Sequence, residues 1–100
     1  MYGTIARLHP KPGALDALKA EMAAYGPDGR RDPPGFRESF VFIPDKEVYD
    51  RPTVFLVAIF DDKATYDANA DSPEQDADYQ RMRAMLEDDP DWMDGTFLGA

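Results

Sequence analysis

One segment in the middle of the chain, Thr53–Phe60, limits the architecture more than any other. Its sequence, TVFLVAIF, consists almost wholly of β-branched, aromatic and aliphatic side chains, which predicts a β-strand. Successive side chains of a strand point to opposite faces of the sheet, so both faces of this strand are apolar. A sheet with helices on one face and water on the other would show alternating polar residues. We therefore expect a second copy of the chain to cover the other face.

Three further segments are predicted to form strands. Each is rich in β-forming side chains and lies beside proline, glycine or aspartate: Tyr2–His9, Phe36–Ile43 and Trp92–Leu98. In the second of these strands, Phe36, Phe40 and Phe42 are expected to share one face of the sheet.

Two helical regions separate the strands. The first has an apolar stripe at spacings of three and four residues and ends at Gly26: Leu15, Leu18, Met22 and Tyr25. The second begins at Asp61 or Asp62 and restarts at Ser72, where Ser72 and Gln75 have the spacing of a capping box. The restarted helix is expected to continue to Pro90.

The resulting order, β-α-β-β-α-β, is that of the ferredoxin-like α+β fold. In this fold the helices lie on one face of a four-stranded antiparallel sheet. Residues 1–100 are expected to form one domain. The predicted partner is a second copy of the chain, bound through the helix-free face of the sheet to give a homodimer.

The charge of the chain excludes several kinds of partner. The net charge is −9, and residues 61–94 hold twelve acidic side chains against three basic ones. Such a surface repels phosphate backbones and anionic lipids, so neither nucleic acid nor a membrane is expected to bind. The chain has no cysteine, which excludes disulfides and thiolate chemistry and is consistent with a cytoplasmic protein.

The acidic stretch Thr65–Gln80 raises the question of a metal site. Asp67 and Asp71 are four residues apart near a helix break, whereas Asp76 and Asp78 are two apart and point in different directions. Asp88–Gly95 lacks the glycine that a calcium loop requires. We therefore expect no metal, and we interpret these acids as helix starts and solvated surface. Replacement of Asp78 is accordingly expected to have little effect.

Three stretches carry a family resemblance: GTIARLHPKPGALDALKAEM at the front, PPGF before the second strand, and FDDKATYDANADSPEQ after the third. With them the chain resembles the antibiotic biosynthesis monooxygenases of the dimeric α+β barrel superfamily. The resemblance implies a dimeric barrel with an apolar pocket between sheet and helices in each subunit. It also implies cofactor-free oxygenation of an electron-rich aromatic or quinol, with a small apolar or aromatic ligand.

The sequence departs from the family pattern at two positions. The tryptophan that is frequent at the end of the third strand in the family falls on Phe60, and the histidine of its Ala-His element falls on Asn69. The haem-degrading relatives use a histidine from the second helical region. No histidine lies between Lys63 and Pro90, so we expect no haem and no other cofactor.

Six residues are the candidates for a functional site. His9, Tyr66 and Asn69 are the catalytic candidates, because an imidazole, a phenol and an amide can transfer protons or donate hydrogen bonds. The substrate-binding candidates are aromatic: Phe40, Phe60 and Trp92. The structural alternative places Tyr66 and Trp92 in the core, Asn69 at a helix end, and His9 exposed at the end of a strand.

Two further functions stay open on the same fold. One is a non-catalytic small-molecule-binding or stress-associated protein, and the other is a lactone isomerase that transfers protons without oxygen. The chain has no serine–histidine–acid set, phosphate loop or dinucleotide fingerprint that would favour another enzyme class. Whether the protein is an enzyme is left open by the sequence.

Overall fold

The computed structural model describes residues 1–47 and 49–99. In chain order the elements are β1 (Tyr2–Leu8), α1 (Leu15–Ala23), β2 (Phe36–Phe42), β3 (Val54–Phe60), α2 (Lys63–Ala70), α3 (Pro73–Ala84) and β4 (Asp91–Thr96). The strands form one sheet in the order β2-β3-β1-β4, and all neighbouring strands are antiparallel. This confirms the predicted ferredoxin-like α+β fold. Within the described ranges, none of the helices has the length and apolar character needed to span a bilayer.

The hydrophobic core lies between the sheet and the helices. Leu8 of β1, Leu18 of α1 and Leu86 after α3 are fully buried, and Met82 of α3 packs with them. β3 contributes Val54 and Leu56 from its helix-facing side. Burial of these side chains is what holds α1 and α3 against the sheet.

Side-chain caps start both helices after β3, as predicted. The carboxylate of Asp62 accepts a hydrogen bond from the backbone N–H of Thr65 at 2.9 Å, and Ser72 Oγ accepts one from Gln75 N–H at 3.1 Å. The predicted capping box is only half formed, because the side-chain oxygen of Gln75 accepts a hydrogen bond from Asn69 Nδ2 at 3.2 Å and lies 2.8 Å from the hydroxyl of Tyr25 instead. That side chain therefore belongs to the interior and not to the cap.

The end of α3 differs from the prediction. The helix ends at Ala84, six residues before Pro90. Beyond it the chain pairs with the end of β1: Lys11 N–H donates to Met85 O and Glu87 N–H donates to His9 O, both at 2.9 Å. These bonds satisfy backbone groups in an extended arrangement, so the helix does not continue.

A β-bulge in β2 changes which face its aromatic side chains occupy. Phe36 is opposite Phe60, but Glu38 is opposite Ile59, so β2 contains one extra residue between these pairs. Phe36 consequently points toward the helices, where its ring lies 5.7 Å from that of Phe60. Phe40 lies beside Val57 on the other face. The prediction that Phe36 shares a face with Phe40 and Phe42 is wrong for this reason.

The helix-free face of the sheet is apolar and open to solvent in the single chain. Its exposed side chains include Phe40, Phe42 and Met93, with 51%, 58% and 64% of their surface accessible. Phe55 and Val57 of β3 lie on the same face, which is the second apolar face that the sequence of this strand predicted. A contiguous apolar surface of this kind is typical of an interaction site.

Candidate active site

A cavity of about 390 Å³ lies between the helix-facing side of the sheet and the three helices. Four of the six candidate residues line it: Phe60, Tyr66, Asn69 and Trp92. The structure brings them together because β3 and β4 lie on either side of β1 and α2 follows directly from β3.

Aromatic rings form one wall of the cavity. The ring of Phe60 lies 5.7 Å from those of Phe36 and Tyr66, and Tyr66 lies 5.3 Å from Tyr2. These pairs meet edge to face, which is a favourable geometry for aromatic rings. The wall therefore presents a fixed apolar surface to any ligand.

A second aromatic pair lines another part of the cavity. Trp92 of β4 lies 6.4 Å from Tyr79 of α3, measured between ring centroids. Trp92 keeps 41% of its surface accessible, so in the single chain it is not the core residue of the structural alternative. Its partly open ring is available for contact with a ligand.

Tyr66 is a hydrogen-bond donor in this site. Its hydroxyl donates to Asp94 Oδ1 at 2.9 Å. Burial, together with the hydrogen bond and negative charge of Asp94, raises the pKa of the Tyr66 phenol above its ordinary value. The phenol therefore stays protonated near neutral pH and cannot serve as a general base there.

Asn69 is held with its amide in one orientation. Arg31 Nη2 donates to Asn69 Oδ1 at 2.6 Å, and Asn69 Nδ2 donates to Gln75 Oε1 at 3.2 Å. The carbonyl side of the amide is thus occupied by a cation, and the amino side lies against Gln75, which also lines the cavity. Among the described residues, the second N–H of this amide has no acceptor, so it can donate to a ligand.

Asp78 is the centre of a buried ionic network, contrary to the prediction of a solvated acid. Only 5% of its surface is accessible. It accepts hydrogen bonds from the hydroxyl of Tyr25 at 2.7 Å, from Arg30 at 2.9 Å and from Arg31 at 2.6 Å, and Arg81 completes the network. Replacement of Asp78 therefore removes more than a surface charge.

The pKa of Asp78 reflects two opposing effects. Burial alone would raise it, but hydrogen bonds from Tyr25 and Arg30 and the positive charges of Arg31 and Arg30 hold the pKa of this carboxyl below its ordinary value. A sequence signal for the buried position exists, since Asp78 precedes Met82 by four residues and shares its face of α3. Because aspartate is charged, this position was predicted to be solvated instead.

His9 and Phe40 lie outside the cavity. His9 has 8% of its surface accessible, and its Nδ1 is 3.2 Å from Thr53 Oγ1 and 3.3 Å from Pro52 O. The expected exposure of His9 is therefore wrong, because the segment before β3 covers the ring. Phe40 is on the helix-free face of the sheet.

The cavity is also lined by side chains that are not among the six candidates. Asp94 lines it, as do Tyr25, Gln75 and Asp78. Asp94 follows Trp92 by two residues and so shares its face of the strand, which is a signal that alternation alone provides. Within residues 1–47 and 49–99, no group of three or more histidine, aspartate or glutamate side chains is placed to hold a metal ion.

Comparison with known proteins gives similarity in structure only. No protein-family model matches the chain, and no curated protein matches it. An antibiotic biosynthesis monooxygenase of known structure superposes with a TM-score of 0.67 over 99% of this chain and 100% of its own, at 16% identity. Rv0793 from Mycobacterium tuberculosis superposes with a TM-score of 0.68 over 99% of this chain and 96% of its own, at 18% identity.

The chain has the fold of the antibiotic biosynthesis monooxygenases. A dimeric ferredoxin-like protein of unknown function from Jannaschia sp. CCS1 shares it, with a TM-score of 0.67 and 23% identity over 96% of this chain and 98% of its own. At these identities the monooxygenase likeness is one of architecture, and the chemistry of this chain is argued from its own cavity.

Proposed function

We propose that this protein is a cofactor-independent monooxygenase that acts on an electron-rich aromatic or quinol. The observation that carries the proposal is the cavity, in which aromatic walls surround the amide of Asn69 and the hydroxyl of Tyr66. Phe60 and Trp92 would contact the rings of the substrate, and Asn69 would donate to one of its oxygen atoms. The Tyr66 oxygen, whose proton is given to Asp94, would accept from a substrate hydroxyl. The monooxygenase fold, which spans almost the whole chain, supports the same reading.

The proposed reaction draws its electrons from the substrate. For an anthrone, the ring CH₂ group reacts with O₂ to give a ring C=O group and water, so that carbon is oxidised and both oxygen atoms are reduced. The protein would hold the ring in one orientation and exclude solvent. The free N–H of Asn69 would donate to the oxygen that becomes negatively charged as the substrate is deprotonated.

Oxygen uptake with a panel of anthrones and quinols tests this proposal. We expect Asn69→Ala to lower kcat/KM by about 100-fold, since loss of one donor to an oxyanion has an effect of this order. Gln80→Ala is the matched control, because it removes an amide from the exposed side of α3. The monooxygenase proposal is rejected if the protein oxidises none of these compounds faster than the background rate. If the purified protein nevertheless retains one of them, the non-catalytic binding function takes its place.

The assembly that goes with this function is a homodimer. We propose that residues 1–100 form a single cytoplasmic domain and that two copies pack through their helix-free sheet faces. Support comes from the exposed Phe40, Phe42 and Met93, and from the Jannaschia protein of the same fold, which is dimeric. The hydrophobic effect would drive the association, because each copy would cover the apolar face of the other.

A further inference from the structure

Asp94 lines the cavity, and among the described residues only one of its two carboxylate oxygens accepts a hydrogen bond. It is opposite Thr4 in the pairing of β4 with β1, as Trp92 is opposite Ala6. Thr4 and Ala6 are buried beneath the helices, so Trp92 and Asp94 share the helix-facing side of β4. The carboxylate is therefore two residues along the strand from an aromatic ring of the cavity.

One oxygen of Asp94 is held and the other is free. Tyr66 donates to Oδ1 at 2.9 Å, and in the part of the chain that the structure describes Oδ2 has no hydrogen-bond donor. Lys63, on the same turn of α2 as Tyr66, binds Asp67 instead. Asp94 thus has one oxygen bound by Tyr66 and a second that is available to a ligand in the cavity that Asp94 lines.

Two more carboxylates of the cavity, the buried Asp78 and the half-buried Glu21, differ from the exposed Asp94 in their partners. Asp78 is bound by three arginines, and Glu21 is bound by Arg30 and Arg81. Their charges are compensated, whereas the only direct partner of Asp94 among the described residues is the neutral phenol of Tyr66. Asp76 likewise has no cation bound to it among the described residues, but Asp94 is the carboxylate that Tyr66 holds and that lies on the face of β4 beside Trp92.

We propose that Asp94 is the proton acceptor of this cavity and that the cavity takes an aromatic ring whose hydroxyl group donates to Asp94 Oδ2. In the transfer step the O–H bond of the ligand breaks, its electron pair stays on the ligand oxygen, and the proton forms a bond to Oδ2. The resulting phenolate is more electron-rich and gives up electrons to oxygen more readily. The catalytic part of this inference rests on the proposed function, whereas the binding part stands without it.

The same geometry predicts that the cavity binds a neutral aromatic ligand more tightly than a negatively charged one. An aromatic carboxylate in this orientation would bring a second negative charge beside Asp94, and Asp76 at the cavity has the same sign. At a separation of about 5 Å in a partly hydrated site, repulsion of this kind weakens binding by roughly tenfold or more. An ether in place of the hydroxyl would lose the hydrogen bond without adding charge.

Three probes of equal ring size test the binding part: β-naphthol, its methyl ether and β-naphthoate. The chain has a single tryptophan, so the indole N–H resonance of Trp92 in a nitrogen–proton NMR spectrum reports binding at the cavity. We expect β-naphthol to bind about tenfold more tightly than either of the other probes. Equal affinity for β-naphthoate and β-naphthol in the unmodified protein would overturn the inference.

Asp94→Asn identifies the group responsible. It keeps the size of the side chain and removes its charge, so β-naphthoate is expected to bind within about twofold of β-naphthol. Asp16→Asn is the control, because it removes the same charge from the exposed side of α1. If the preference against β-naphthoate persists in Asp94→Asn, another acid causes it and the assignment is wrong.

The catalytic part has its own readout in the pH profile of oxygen uptake. The titratable groups beside Asp94 are Tyr66 and Lys63, both from α2. The pKa of Tyr66 and that of Lys63 are raised above their ordinary values, so both groups keep their protons near neutral pH and an acidic limb of the profile belongs to a carboxylate. We expect Asp94→Asn to lower kcat/KM at least tenfold and to abolish that limb.

The two proposals fail in different ways. Oxygen uptake that is equal in Asp94→Asn and the unmodified protein would reject Asp94 as the base while leaving the monooxygenase function intact. Selective binding of β-naphthol that depends on Asp94, without oxidation of any anthrone or quinol, would reject the monooxygenase and retain the ligand site. Absence of any shift of the Trp92 resonance with all three probes would reject both.

Discussion

Replacement of Asp78 by asparagine is expected to destabilise the protein by about 2–4 kcal/mol. Arg30 and Arg81 keep 44% of their side-chain surface in water, so loss of their partner has little effect. Arg31 has only 14% accessible and would lose a charge-assisted hydrogen bond of about 1.5–3 kcal/mol. The Tyr25 hydroxyl, which donates to Asp78 in the unmodified protein, could donate to Gln75 Oε1 at 2.8 Å instead, so its loss adds about 1 kcal/mol at most.

Urea denaturation followed by circular dichroism at constant protein concentration measures this loss. Asp76→Asn is the control, since Asp76 is two residues away on α3 and exposed. It is expected to change the free energy of unfolding by less than about 1 kcal/mol, the effect of an acid in the first turn of a helix. A domain of this size is stable by only about 5–15 kcal/mol, so the difference between the variants is readily measured.

The effect of Asp78 also depends on pH with a known sign. The pKa of Asp78 is lower in the folded protein than the value of about 3.9 for an unfolded chain. Its contribution is therefore fully present above about pH 4 and is lost as the pH falls through the folded pKa. The gap in stability between the unmodified protein and Asp78→Asn should shrink below about pH 4. A gap under 1 kcal/mol at pH 7, equal to that of Asp76→Asn, would refute the reasoning.

Three other outcomes are expected. Val57→Asp places a charge in the apolar sheet face and should convert a dimer of 11.2 kDa chains into monomers or unfolded protein, whereas Ala20→Asp on α1 should not. Light scattering measures the mass, and a monomeric unmodified protein would contradict the assembly. Gly35→Ala should cost more than about 1 kcal/mol in thermal denaturation, because Gly35 has φ 80° and a methyl group there would overlap Thr65; an unchanged Tm would contradict this. Added haem should give no histidine-ligated Soret band, and a band that survives His9→Ala would reveal another ligand.

The parts of the fold that were predictable from sequence depend on local signals. The apolar run of β3, the Asp62 and Ser72 caps and the order of elements each follow from residues within a few positions of one another. Phe60, Tyr66 and Asn69 come from one continuous stretch, so their shared cavity was predictable once β3 and α2 were recognised. Local propensity and tertiary structure agree at these places.

The surroundings of Phe36, His9 and Asp78 were predicted wrongly, because each depends on a part of the chain that is distant in sequence. The bulge in β2 moves Phe36 to the helix-facing side, and strict alternation cannot anticipate an extra residue. Burial of His9 comes from the segment at Pro52, more than forty positions away. Asp78 is bound by Arg30 and Arg31, 48 and 47 positions earlier, and counting charges along one segment reveals only its nearby partner Arg81.

Arg31 ties the chemistry of the cavity to the integrity of the fold. Through one guanidinium it binds both Asp78 and Asn69, and the same group lies 5.5 Å from the centre of the Tyr25 ring. Replacement of Asn69 alone by histidine or lysine would remove the acceptor of that guanidinium or place a positive charge beside it. A change of Arg31 first would leave Asp78 short of a partner. Substitutions at positions 31 and 69 should therefore be epistatic, and directed evolution of this cavity will advance faster from libraries that vary both codons together.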